Sequence, residues 1–376
     1  MKYPSKILLL LIFGLLKNIL LWGDLSCPYL KSSRDGRFLA GLTISGNTIE
    51  VLGTLGAHKP NKNIIDLPTY SACSHFAIAP NNQKTAYCLL YKACRPVRKG
   101  LIHIVEPFEY KITIESNHSG IITDLAWSTD GTILASCSSD GVIKLWKRTE
   151  WEETDKIPYE LIDEISYELI LEIQATDKQQ INSISWSGRP YATKVLACGC
   201  KNGLIEIWQI NETTSPCRCS KIRTLSTHKS ESIRHIEFNP KTLGVILSVA
   251  ADNSVRLFNT DSTNFFTILE PSDNKLLSAL FSPCGKYIAL QTKSQTQIWN
   301  YATKTIHKTY ETPDIISVAL IEDVINGKPS LILATKRLED GAIDREIIDK
   351  KASPRAPKRY DSDELLKTAA KYRVEI

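Results

Sequence analysis

The chain has 376 residues, 43% of them hydrophobic and 23% charged, with 46 Lys+Arg against 41 Asp+Glu and 10 Cys. That is enough chain to bury one large core or two ordinary ones, and it is too apolar and too evenly charged for disorder. Collagen-like, coiled-coil and polytopic membrane classes are excluded, and a net charge of +5 lacks the strongly basic domain of most nucleic-acid binders.

The chain opens with Lys2 and Lys6, an apolar run over residues 7–16, then Lys17-Asn18 and a second apolar run over residues 19–22. A basic start before a ten-residue apolar stretch reads as a leader or membrane anchor through residues 7–22. The run is short for a membrane span of about twenty apolar residues, so a membrane-surface helix and a first strand of the fold stay open as readings of residues 1–23.

From there the sequence is organised by repetition. Residues 32–52 (SSRDGRFLAGLTISGNTIEVL) hold an Asp-Gly turn and two strand-like runs, and residues 75–105 repeat the pattern around a basic insertion at 95–99. The clearest copy, residues 118–146, is HSGIITDLAWSTDGTILASCSSDGVIKLW. It alternates apolar and polar residues in three short runs joined by Asp-Gly turns, which predicts an antiparallel meander. Residues 149–177 then depart from the repeat as an acidic insertion beginning near Trp151, in which YELIDEI (159–165) is nearly copied as YELILEI (167–173). One copy is expected as an outer strand. The insertion reads either as a solvated loop or as a docking site for a basic surface, with Trp151 as an apolar anchor.

Further copies follow at residues 181–208, 232–258 and 277–299, with third strands ending at Trp208, Phe258 and Trp299, and a weaker one at 315–336. The tail from 351 to 376 is basic and Pro-containing, with a short helix expected near its end.

The 118–146 copy resembles a WD40 repeat. In that family a His, a Ser or Thr, an Asp and a Trp form a buried structural tetrad, which the resemblance carries onto His118, Ser138, Asp140 and Trp146. The 181–208 copy keeps Trp208 but has Cys200 at the Ser position and Asn202 at the Asp position. The 232–258 copy keeps His228 and Asp252, with Ala250 at the Ser position and Phe258 for Trp. The resemblance implies an all-β fold: a single propeller over residues 24–350, of seven blades with four antiparallel strands each, because a ring buries sheet faces that one blade cannot bury alone.

It also implies a non-catalytic interaction scaffold whose partners are other proteins. The turns between second and third strands carry the partner-binding candidates Ser139, Lys201, Asn202 and Asn253, beside Trp151 in the insertion. No phosphate-binding Gly loop, HExxH or nucleophile elbow is present, His118 and His228 already have structural roles, and neither a small-molecule substrate nor nucleic acid is expected. No cofactor and no metal are expected, because the pairs Cys198-Gly-Cys200 and Cys217-Arg-Cys219 are spaced more tightly than common structural zinc sites. Cysteines inside apolar runs point to the reducing cytoplasm, while residues 7–22 leave an anchored or exported propeller as the alternative, with an enzyme site in the propeller channel ranked behind it.

Overall fold

The computed structural model describes residues 30–348 apart from 34–37, 43–47, 54–61, 68–70, 81–84, 92–99, 106–110, 150–165, 188–193, 227, 263, 313–314, 326–327 and 338–342. Residues 7–22, Trp151, the first acidic copy and the basic tail lie outside the described residues.

Seven consecutive antiparallel sheets make up the fold. Blade one holds β1 (Leu30–Ser32), β2 (Phe38–Leu42), β3 (Thr48–Gly53) and β4 (Lys62–Asp66); blade two holds β5 (Ser71–Ile78), β6 (Thr85–Tyr91), β7 (Leu101–Val105) and β8 (Lys111–Glu115). Blade three comprises β9 (Ile122–Trp127), β10 (Ile133–Ser138), β11 (Val142–Arg148) and β12 (Tyr167–Gln174). Blade four comprises β13 (Ile181–Trp186), β14 (Lys194–Cys200), β15 (Leu204–Asn211) and β16 (Arg218–Ser226). Blade five is β17 (Ile233–Phe238), β18 (Val245–Ala250), β19 (Val255–Asn259) and β20 (Phe265–Leu269). Blade six is β21 (Leu276–Phe281), β22 (Tyr287–Thr292), β23 (Gln295–Asn300) and β24 (Thr305–Glu311). Blade seven is β25 (Ile315–Ile325), β26 (Lys328–Arg337) and β27 (Ile343–Ile347), three strands among the described residues where four were expected.

Burial explains the ring. The second strands β10 and β18 are buried at every position, so each must be covered on both faces. Seven core clusters supply that cover, one between each pair of neighbouring blades. Ile133, Ile143 and Leu145 of blade three meet Ile181, Trp186 and Leu196 of blade four, for example. The last cluster sets Leu30 and Leu39 of blade one against Ala319, Ile321, Ile332 and Ala334 of blade seven. The ring is therefore closed, with β1 lying against both β5 and β25.

The second acidic copy is the outer strand of blade three: β12 pairs along β11, with Tyr167 and Ile173 buried and Glu168 and Glu172 exposed. Large apolar side chains left half exposed, Leu169, Phe265 and Ile306, pair across from Trp146, Phe258 and Trp299, whose outer sides they cover. Among the described residues the only helical turn is Thr176–Lys178, and no helix is long and apolar enough to cross a membrane.

Candidate interaction face

One face of the ring carries the turns between second and third strands together with the loops that enter each inner strand. In blade three a polar network fixes both. His118 Nε2 lies 2.9 Å from Ser136 Oγ, Trp146 Nε1 donates to the same oxygen at 3.0 Å, and His118 Nδ1 lies 3.2 Å from Asp140 Oδ2. That carboxylate also accepts from the Ser119 and Gly120 N–H groups at 2.8 and 3.4 Å, while its Oδ1 takes the Val142 N–H at 2.9 Å. His118 is fully buried; burial lowers its pKa, opposed by Asp140.

The hydroxyl at the centre of this network is Ser136, a correction to the expected Ser138. Side chains two apart on a strand share a face, so spacing alone does not separate the two, but only Ser136 sits diagonally from Trp146 under the imidazole. Ser138 Oγ instead accepts the Asp140 N–H at 3.2 Å and closes the turn. The same two-residue correction applies elsewhere. In blade five Ser248, rather than Ala250, holds the position: His228 Nε2 lies 2.7 Å from its Oγ, and His228 Nδ1 reaches Asp252 through Ser254. Phe258 meets the His228 ring edge-on at 6.1 Å. In blade four the position is Cys198, rather than Cys200, opposite Glu206. Trp208 Nε1 and Glu206 Oε2 are buried there without a protein partner, and Thr176 N–H caps Glu206 Oε1 at 3.1 Å.

The expected contact residues divide into two kinds. Ser139 Oγ accepts the Ile121 N–H at 3.0 Å, and Asn202 Oδ1 accepts the Leu204 N–H at 3.2 Å, so both shape their turns. Asn253 does more: at φ 63° it occupies the left-handed place held by Gly141 and Gly203 in the neighbouring turns. Its amide donates to Ser272 O and accepts from Arg234 and the Leu276 N–H. Lys201 alone is exposed with only its backbone engaged, its N–H donating to Gln180 O at 2.9 Å. Lys178, Lys229, Lys275 and Lys293 are exposed on the same face, with Asp177, Glu231 and Asp273 among them. Among the described residues no group of three or more His, Cys, Asp or Glu side chains is placed to hold a metal ion.

The WD domain, G-beta repeat family model matches residues 109–147 and 219–259, the stretches that carry the His118 and His228 networks. Over those two stretches the chain is similar to WD40 repeats. The chain is 26% identical over 148 residues to the WD repeat-containing protein GTS1 of Arabidopsis thaliana, covering 38% of this chain and 31% of that one. It is 25% identical over 208 residues to the transcriptional corepressor LEUNIG_HOMOLOG of the same plant, covering 55% and 22%. The matches thus span less than a third of these relatives' own length. A chain in the crystal structure of the mitotic checkpoint complex superposes with a TM-score of 0.51 at 16% identity over 72% of each chain, a likeness of fold.

In this seven-bladed ring the inner strands are laced together at the mouth of the channel by polar residues that were not singled out in the sequence. Five inner strands, β9, β13, β17, β21 and β25, are bulged just after their first residue, and β5 is bulged after its third. The bulged residues reach the next blade: Thr123 Oγ1 donates to Ile181 O, Asn182 to Ile233 O and Arg234 to Leu276 O. A second tier lies below, where Asp124 Oδ2 accepts from Ser183 Oγ and the Ile184 N–H, Ser183 Oγ from the Ile236 N–H, and Ser317 Oγ from the Leu30 N–H. Lys31 of blade one passes over Phe76 of blade two to stand 3.8 Å from Asp124 of blade three.

Two histidines face this pair. Burial lowers His75 and His235 to about 4, with Asp124 opposing and Lys31 adding to the effect. The signal for these residues was present as the polar pair at the head of each inner strand (TD, NS, RH), readable only once the repeats are superposed. On the opposite face Lys194 of blade four, 4% exposed, bridges Asp130 of blade three at 2.9 Å and also binds Glu212 and Thr132. Burial raises the Asp130 pKa, but hydrogen bonds from Ser128, Lys194 and Thr132 prevail and bring it to about 2.

Proposed function

We propose that this protein is a non-catalytic platform that presents the rim turns of its blades to peptide or protein partners. The observation that supports it is the division of labour on the rim. Asp140, Asn202, Asp252 and Asn253 use their polar groups to fix backbone, while the lysines at 178, 201, 229, 275 and 293 stand exposed on turns already held in shape. A fixed backbone lets long polar side chains meet a partner without the cost of ordering a loop. The imidazoles of His118 and His228 are committed to tetrad hydrogen bonds, which leaves neither as a general base. A relative named as a transcriptional corepressor and a fold likeness within a checkpoint complex are consistent with work inside assemblies. The eight free cysteines described, five of them buried, fit a reducing compartment.

The test compares partner capture from native extract by wild type, by Lys201→Glu/Lys229→Glu on the rim, and by Lys241→Glu on the exposed blade-five turn of the opposite face. Circular dichroism verifies each fold. Loss of partners by the rim variant alone is expected. Equal capture by all three would move the binding surface off this face, to the acidic insertion first.

A further inference from the structure

The outer strand of a blade is a sheet edge, and natural edges are blunted by charge, because a bare row of N–H and C=O groups templates pairing with another strand. β4 (KNIID), β8 (KITIE), β12 (YELILEIQ), β16 (RCSKIRTLS) and β24 (TIHKTYE) follow that rule, each with at least two charged residues. β20 of blade five reads FFTIL and has none. It ends its sheet, so among the described residues no strand lies along its outward side. Phe265 is 48% exposed there, and Phe266, Thr267 and Leu269 are half-buried. We propose that β20 is the contact between two copies of this chain, pairing antiparallel with its own counterpart across a two-fold axis beside Thr267, so that the two four-stranded blades run on as one sheet.

The charges around the strand select a second copy as the occupant. Two cations stand at its amino-terminal end: Arg256 Cζ lies 4.8 Å from the centre of the Phe265 ring, and Lys304 of blade six places Nζ 4.3 Å from the centre of Phe266. They outnumber Asp261, the one described acid in the turn before β20. Past the carboxy-terminal end comes Glu270, exposed, and then Pro271, which cannot extend a ladder. The complement of this edge is therefore a strand that is uncharged along its length and acidic just beyond its carboxy-terminal end. β20 is itself such a strand. Two-fold pairing brings Glu270 of each copy to the Arg256 and Lys304 end of the other and sets Thr267 against Thr267. An isologous contact of this kind closes at two copies and leaves no bare edge on blade five.

The shared stretch is short. Ile268 falls between the residues that pair with Val255 and Arg256 of β19, so the last residues of β20 are bulged. One short strand from each copy buries little area, and association should depend on concentration. The contact goes beyond the rim reading, since it uses the outer edge of blade five and none of the rim lysines. A dimer presents two rims, so a partner with two rim-binding segments gains from effective concentration.

Sedimentation equilibrium of the full chain at low salt, over a series of concentrations, tests the proposal. Wild type should pass from monomer to dimer and no further. Lys304→Glu and Glu270→Lys alter exposed side chains, and circular dichroism verifies that each folds. Each alone sets like charges together at both ends of the pair and should weaken dimerisation about tenfold or more. An equimolar mixture of the two should restore it, because every mixed pair then has opposite charges at both ends. Ile306→Asp, on the equally exposed edge of blade six, and Lys201→Glu/Lys229→Glu on the rim should dimerise as wild type does, which separates failure of this contact from failure of the rim reading. Hydrogen exchange on wild type needs no variant: amides of residues 265–269 should slow about fivefold or more as concentration rises through the transition. A wild type that stays monomeric throughout, a mixture no better than its components, or a dimer that protects some other strand would each overturn the assignment.

Discussion

Replacing Ser136 by Ala removes a single hydroxyl shared by two buried ring nitrogens, accepting from Trp146 Nε1 and pairing with His118 Nε2. His118 Nε2 at 2.9 Å and Trp146 Nε1 at 3.0 Å both depend on it, and His118 and Ser136 are fully buried. A buried polar group left without a partner costs about 1–3 kcal/mol, and the two share one small site that partly relaxes, so a loss of about 2–4 kcal/mol is expected. Ser138→Ala removes one acceptor from the Asp140 N–H at the turn, worth about 0.5–1.5 kcal/mol. At about 2 cal/mol/K per residue, unfolding entropy for a ring of this size is near 0.8 kcal/mol/K, so Ser136→Ala should lower Tm by roughly 3–5 °C and Ser138→Ala by about 1–2 °C. Calorimetry with a check of reversibility measures both, and a denaturant midpoint gives an independent ranking. If Ser138→Ala proves equal to or worse than Ser136→Ala, the tetrad has been assigned to the wrong hydroxyl and the arrangement of His118 has to be redrawn.

Cys198→Ser should stabilise blade four by about 0.5–1.5 kcal/mol in denaturant titration, because the new hydroxyl can accept from Trp208 Nε1 and donate to Glu206 Oε2, both now unpartnered; a destabilised variant would contradict that geometry. His75, His228 and His235 are each held near 4, below the ordinary value of 6.5, so the unfolded chain binds more protons between those values. Stability should therefore be full above about pH 6.5 and fall as pH drops toward 4, and His235→Asn should flatten that limb in urea titrations across pH. Below pH 4 a second loss should follow as Asp130, depressed to about 2, takes up its proton and releases Lys194; Asp130→Asn should remove this lower limb, and an unchanged acid midpoint would show that the bridge contributes nothing.

The architecture was legible because it is written in side-chain alternation and turn residues, which act locally. Third strands expected to end at Trp146, Trp208, Phe258 and Trp299 are β11, β15, β19 and β23, each running to that residue or just beyond. What sequence spacing could not resolve was choice within a face. Ser136 and Ser138 project to the same side of β10, and only the reach of His118 across the blade selects between them. Asn253 looked like a rim contact because polar turn residues do, yet its positive φ and its bonds to Ser272, Arg234 and Leu276 make it part of the frame. The channel lacing was hidden for a different reason. Asp124 gains its meaning from Ser183 and Lys31, which are distant in sequence and meet only when the ring closes.

That lacing also determines what the rim can do. Ordering the backbone of one loop residue costs about 1–2 kcal/mol, so a three-residue turn assembled only on binding would take about 3–6 kcal/mol from the affinity of any partner. Here the turn at 139–141 is ordered at folding by Ile121, Ser138 and both oxygens of Asp140, and the turn at 201–203 by Gln180 and Asn202. Blade-to-blade bonds from Thr123, Asn182 and Arg234 then hold successive turns at set spacings around the mouth. A ligand that touches Lys201 and Lys229 together meets two groups on one frame and bears only the rotamer entropy of the lysines, about 2 kcal/mol each at most. Loosening the frame should therefore weaken binding without touching a contact residue. Asn182→Ala, which removes the bonds to Ser232 and Ile233 between blades four and five, should raise Kd by several-fold through both entropy and misalignment while leaving the overall fold in place. Surface-immobilised partner binding at matched folded fraction reads the change, and a Kd equal to wild type would mean that the two turns act separately.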